Sequence, residues 1–247
     1  MKIVVTRLAL LALVLAAWEL LPRYQLVNPL LLPPLSDVLS MLGELLQRRQ
    51  VHEAIGVTAA EVAVAFLIAV PLGAAFGVLI AESEYLGEIF KPMLFIVFSI
   101  PKSIFLPLFI LVFGISFQQK VAYAAFTTAF VVLMSATAAV ESVKQDYVLV
   151  ARSYGATRMQ ILRRIYLPSM MPLLLETLRI SMIFNFTGVM IAEMYASRTG
   201  IGHLIASWGE NFQMKQLFAG VILLAAAAIL FNEALRWMEA RVSAWRT

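Results

Sequence analysis

Four polar side chains within largely apolar stretches could meet a solute or a gate: Lys102, Asn185, Thr187 and Glu193. A lysine there offers a fixed positive charge to an anion, lines a gate, or turns back beyond Pro101 to a backbone carbonyl. In hydrocarbon that charge costs about 2.5–3.5 kcal/mol on insertion scales, so one of these roles must offset it. Glu193 is open to the same alternatives, a gate or docking residue on one side and a structural polar contact on the other. Asn185 and Thr187 either line a path for a polar solute or hydrogen-bond a neighbouring helix. Covalent and metal chemistry find no support. The chain has no cysteine, which removes disulfides, thiolate metal sites and a cysteine nucleophile. His52 and His203 lie in separate polar connections and form no HExxH. No GxxxxGK[ST] phosphate loop occurs, so the sequence carries no ATPase motif of its own. Gly200-Ile201-Gly202 lacks the third glycine and the preceding strand of a dinucleotide fingerprint and reads as a turn.

A second group of residues is spaced for docking. The longest polar interruption on one side of the apolar spans runs over about 141–171. Asp146 is expected to cap a helix through about Ser153, with Tyr147, Val150, Ala151 and Tyr154 at i, i+3, i+4, i+7 on one face. Gly155 supplies the left-handed residue that ends such a helix. Thr157 to Gln160 forms a capping box that opens a second helix. That helix is expected to place Met159, Leu162, Ile165 and Tyr166 on one side, with Arg158, Arg163 and Arg164 largely elsewhere. Pro168 and Pro172 are expected to bring the chain back to its apolar course. The stripe on the first helix needs cover, from a partner protein or from the chain's own helix ends.

The elements that position these residues follow from composition. Of 247 residues 62% are hydrophobic and 14% charged, and the mean hydropathy is +0.87. A soluble domain of this composition would expose large apolar patches, and a disordered chain needs the opposite balance. The predicted fold class is an all-α integral membrane protein of about six transmembrane helices, with a cytoplasmic helix between spans four and five. The spans are expected over about 3–21, 57–81, 92–115, 121–140, 173–194 and 218–237 of a single domain covering 1–247. The first span reads as an uncleaved anchor rather than a signal peptide. The third is broken by Pro101, Lys102 and Pro107. In the second, the Gly73/Gly77 pair lets helix backbones approach closely, more readily within the chain than between copies.

Positive residues decide sidedness. With Lys2, Lys91, Lys144, Arg152, Arg179, Arg241 and Arg246 among those counted inside, and Arg48, Arg49, Lys120 and Arg198 among those counted outside, the bias places both termini in the cytoplasm. The long outer connection, about 22–56, begins extended at its proline pairs. Ser36 is then expected to cap a helix whose Val38, Leu42, Leu45 and Leu46 rest on the membrane surface or on the bundle.

At the 141–171 segment the sequence resembles the transmembrane permease subunits of binding-protein-dependent ABC importers. Their signature reads E-A-A, three residues, Gly, nine residues, then I-x-L-P. Ala151, Gly155, Ile165, Leu167 and Pro168 fall on it in register, while Leu149 and Val150 replace the glutamate and the first alanine. Leu32 to Leu39, the Ile100-Pro101-Lys102-Ser103 stretch through Ile115, and Ala192-Glu193-Met194 followed by Thr199 to Gly202 resemble the nitrate/sulfonate/taurine branch. The resemblance implies a non-enzymatic half-channel in the cell inner membrane that binds no cofactor itself. It implies two copies forming the path, two ATP-binding subunits that use ATP-Mg, and a periplasmic or lipid-anchored solute-binding protein. It gives Tyr147, Val150, Ala151, Tyr154, Gly155, Thr157 and Arg158 the coupling role, with Ile165, Leu167 and Pro168 holding the motif in shape. Its solutes are small anions such as sulfonates, taurine or nitrate, or, in some look-alikes, pyrimidine vitamin precursors. An ion-coupled secondary transporter is the rival reading. No nucleic-acid partner is expected, since the net charge of +4 records orientation in the bilayer.

Overall fold

A computed structural model of the chain describes the backbone of residues 2–243, with side chains except those of residues 2, 145, 172, 234, 235 and 237–243. Arg246 lies outside the described residues, as do the side chains of Lys2, Pro172 and Arg241. All regular structure among the described residues is helical. In order, the helices are α1 (Lys2–Arg23), α2 (Leu35–Leu45), α3 (Arg49–Glu82), α4 (Glu84–Ser99), α5 (Leu106–Phe113), α6 (Phe117–Glu141), α7 (Gln145–Ser153), α8 (Arg158–Ile161), α9 (Leu167–Tyr195), α10 (Ile201–Glu210) and α11 (Met214–Ser243). A 3₁₀ turn over Lys102–Phe105 precedes α5, and a π-helical turn over Leu162–Tyr166 joins α8 to α9.

Stretches of α1, α3, α6, α9 and α11 are long and apolar enough to cross a bilayer. α4 with the 3₁₀ turn and α5 passes the same test as a pair bent by 89°, giving up to six spans. The break falls at Ile100-Pro101, as the sequence suggests. Pro107 does not contribute to it, because it sits in the first turn of α5, where its missing N–H has no partner to lose. α4 begins at Glu84 on a Ser83 cap, eight residues before the expected start of the third span, so Pro92 lies inside the helix rather than at its edge.

The chain forms two compact units, one of residues 1–58 and 193–230, the other of residues 59–192 and 231–247. In the first unit Trp18 meets Phe218 edge to face at 5.7 Å and donates Nε1–H to the Pro33 carbonyl at 3.1 Å. Ser36 is not the cap of α2; that position belongs to Pro34. Its N–H and hydroxyl instead donate to the Glu19 carboxylate at 2.9 and 3.0 Å, because a charged acceptor outcompetes a local turn. Val38 and Leu45 are fully buried, so α2 seats on protein through these positions, while Leu46 is exposed. Asp37 pairs with Lys215 at 2.7 Å.

In the second unit α6 is buried along most of its length. Glycines bring its neighbours close: a Cβ at Gly73 would lie 2.6 Å from the Ala129 carbonyl oxygen, and one at Gly77 2.6 Å from that of Leu133. The glycine pair is therefore an intramolecular packing face of α3. Gly77→Val is expected to destabilise the protein by about 1–3 kcal/mol through overpacking. Thermal unfolding in detergent would report it, with Gly56→Val, where nothing lies within 4 Å, as the control that adds the same side chain without the clash. An unchanged midpoint for Gly77→Val would mean that the two helices are not in contact.

Candidate functional site

α7 starts after Lys144, whose backbone is extended and whose side chain makes no cap; Asp146 lies inside the first turn instead. The expected Asp146 cap is thus misplaced by two residues, although a carboxylate in the first turn still favours the helix through its dipole. The other end is as the sequence predicts. Gly155 has φ +78°, its N–H bonds the Arg152 carbonyl at 2.9 Å, and the Ala156 N–H bonds the Ala151 carbonyl at 3.0 Å. This paired 5→2 and 6→1 arrangement is a Schellman motif, and its left-handed residue is where glycine costs least. Tyr147 and Val150 are each 56% exposed and Tyr154 is 88% exposed, with Ala151 half-buried. Val148 is the residue of α7 that turns inward. The stripe is consequently not covered by the chain's own helix ends.

The Thr157 capping box closes in both directions: the Gln160 N–H donates to Thr157 Oγ1 at 3.3 Å, and the Thr157 N–H donates to Gln160 Oε1 at 2.8 Å. Arg158 is exposed just beyond it. In α8 it is Ile161 that is buried, while Met159 faces out. Ile165 and Tyr166 pack against Ala139, Val140, Val143 and Met170. At Pro168 the chain returns to its apolar course without a break. The π turn passes directly into α9, and the Leu167 N–H reaches the Leu162 carbonyl five residues back. Pro168 therefore stands in the first turn of a new α-segment, a position a proline tolerates, and Leu167 beside it is exposed.

The polar residues of the spans separate by role. Lys102 Nζ donates to the carbonyls of Val97, Phe98 and Ile100 at 3.0, 2.7 and 2.9 Å and lies 4.9 Å from the Phe98 ring centroid. It caps the carbonyls that the break at Pro101 strands at the end of α4. Asn185 is fully buried; its Nδ2 donates to the Val62 carbonyl at 2.7 Å and its Oδ1 accepts from Thr128 at 3.3 Å. Thr187, two residues on, is exposed and bonds only the Ile183 carbonyl of its own helix among the contacts described. The two do not share a face.

Glu193 is fully buried. Its carboxylate accepts from the Thr58 hydroxyl at 2.6 Å and from the Gly202 N–H at 2.7 Å, while Thr58 Oγ1 accepts from the Ile201 N–H at 2.9 Å. The end of α9 is thereby tied to the start of α10 and to α3.

Several residues that matter lie outside the sequence-based set. Lys120, counted there as an outer connection, is buried within α6 and forms an ion pair with the fully buried Glu61 of α3. Arg179, counted as cytoplasmic, stands within the span of α9. Glu61 is a single acid in an apolar run, which is the signal that would have found it. Beside Lys120, the Gln119 side chain is buried with no hydrogen-bond partner among the described residues for either polar atom. Among the described residues no cluster of His, Asp or Glu could hold a metal ion.

The sequence profile of the binding-protein-dependent transport system inner membrane component family matches residues 69–245. The chain belongs to this family. It is a multi-pass membrane protein and a permease subunit of an ABC importer. The permease is 30% identical over 240 residues to the taurine transport system permease protein TauC of Escherichia coli (strain K12), covering 95% of its own length and 87% of that protein. It is 26% identical over 239 residues to the putative aliphatic sulfonates transport permease protein SsuC of Bacillus subtilis (strain 168), covering 97% and 87%. A crystal structure of a bacterial ABC transporter that imports the acidic polysaccharide alginate matches with a TM-score of 0.69 over 98% of both chains at 17% identity, a likeness of fold. Family membership decides against the ion-coupled secondary transporter.

Proposed function

We propose that the permease, acting as one domain over 1–247, pairs with a second copy to form the path for a small anion of the sulfonate, taurine or nitrate kind. Two separate ATP-binding subunits use ATP-Mg, and a periplasmic or lipid-anchored binding protein delivers the solute. The permease itself does no catalysis, and both of its termini face the cytoplasm. The relatives named for taurine and aliphatic sulfonates support the solute class. The observation that carries the coupling role is the exposed stripe of Tyr147, Val150 and Tyr154 on a helix fixed at one end by Gly155 and followed by a closed capping box. A short helix held at its end conveys a displacement that a flexible loop would absorb. Arg158 sits where the second helix opens, Thr157 closes its box, and Ile165 seats the segment. Thr187, exposed on its span, is left to meet a solute or a gate, whereas Lys102, Asn185 and Glu193 act through the backbone and packing they hold.

Gly155→Val is expected to leave the protein in the membrane but to reduce transport at least several-fold, because a β-branched residue at φ +78° costs about 1–3 kcal/mol and reorients the segment. Uptake into proteoliposomes equal to wild type would refute the lever role. The reading as a whole is tested by purifying the tagged permease from its native membrane in mild detergent. A stoichiometric ATPase subunit whose hydrolysis is stimulated by a taurine- or sulfonate-loaded binding protein is the expected result. A chain that purifies alone and takes up solute on a proton gradient without ATP would overturn it.

A further inference from the structure

A cavity of about 350 Å³ opens between the α3–α4 turn and the coupling segment. Its polar lining is Arg152, Arg158, Ser83 and Glu82, and its apolar lining is Leu79, Leu86, Ile161 and Tyr166. Among the described residues neither arginine forms an ion pair, with Glu82 or with any other carboxylate. Two guanidinium groups against one carboxylate leave the cavity positive. Arg152 follows the inward-facing Val148 by four residues, so it shares that side of α7 and stands away from the Tyr147, Val150 and Tyr154 stripe. The cavity and the exposed docking stripe therefore use different faces of one helix.

We propose that this cavity binds a phosphate group, supplied by the headgroup of an anionic phospholipid. Paired guanidinium forks match phosphate oxygens in charge and geometry. The apolar residues beside them suit a ligand that is charged at one end and greasy at the other. The cavity lies where the apolar stretch of α3 ends at Glu82, at the level of a headgroup. A bound phosphodiester bridges α7 and α8, on either side of Gly155, to the end of α3. It thereby steadies the coupling segment from the membrane side. The binding does not depend on the transport reading; only its effect on coupling does.

The test uses the full-length permease in detergent, titrated with phosphatidylglycerol, phosphatidylcholine and, separately, inorganic phosphate, with retained lipid read by native mass spectrometry. Phosphatidylglycerol is expected to bind, and phosphatidylcholine is not. Each of Arg152→Gln and Arg158→Gln should weaken binding about fivefold, from the usual contribution of a basic residue at an anionic lipid surface. Arg152→Lys/Arg158→Lys, which keeps the charge but loses the forks, should bind more weakly than wild type and more tightly than the double glutamine variant, and Arg49→Gln, which removes the exposed partner of Glu53, should change nothing. Equal phosphatidylglycerol binding by wild type and the double glutamine variant would overturn the site. Arginine-dependent binding of inorganic phosphate without phosphatidylglycerol would overturn the lipid as source. Expulsion of the lipid on assembly with an ATPase subunit would overturn the bridging role and mark the cavity as a protein interface. A permease without an ATPase partner would still give the binding result, so the two readings fail separately.

Discussion

Glu61→Ala should cost the permease about 3–5 kcal/mol, because it removes a carboxylate that meets the buried Lys120 ammonium in a low-dielectric interior. At about 2–4 °C per kcal/mol for a chain of this size, the unfolding midpoint in detergent should fall by about 10 °C. Much of the loss comes from the desolvation of an ammonium that has lost this carboxylate, not from the attraction of the pair. Replacing both partners by apolar residues, as in Glu61→Leu/Lys120→Leu, should therefore recover most of the stability. Thermal unfolding of the two variants separates the terms. A double variant as unstable as the single one would show that the pair is a net stabiliser in its own right.

The second large effect concerns Gly200. Its φ is +98°, and a Cβ there would fall on the Glu193 carboxylate. Gly200→Val carries about 1–3 kcal/mol of backbone strain. It also pushes the carboxylate away from Thr58 and Gly202, and each buried donor left without its acceptor costs about 1–3 kcal/mol more. The start of α10 should come loose, giving protease access at residues 196–200 well below the temperature at which wild type is cut. Glu193→Gln keeps the shape and an acceptor and should be much milder. Resistance of Gly200→Val to cleavage at the wild-type level would mean that this loop does not depend on the carboxylate.

What the sequence made legible was whatever a short stretch determines by itself. The Gly155 turn, the Thr157 box and the break at Pro101 are local chemistry, and each is found where its residues put it. The apolar stretches also lie close to their predicted places, since a span is a property of composition over about 20 residues. Residues whose role is set by distant neighbours were not legible. Ser36 carries a cap signature, but the Glu19 carboxylate claims both its N–H and its hydroxyl. Lys120 sits four residues after Ser116 and reads as a connection, yet Ser116 caps α6 and the helix carries Lys120 inward to Glu61. Lys102 was legible as a choice between two fates; the three stranded carbonyls of α4 satisfy its ammonium.

The π turn at Leu162–Tyr166 has one further consequence, for angular register. A π turn takes up one residue more than the α-turn it replaces, and one residue is about 100° of rotation in an α-helix. The side chains ahead of it are offset by that angle from where an uninterrupted helix ending at Tyr195 would point them. The residue of α8 that turns inward is Ile161, while Met159 faces out. The heading of the segment around the axis of α9 is encoded by a single surplus residue. Along this stretch an insertion or deletion acts as a change of bearing more than a change of length.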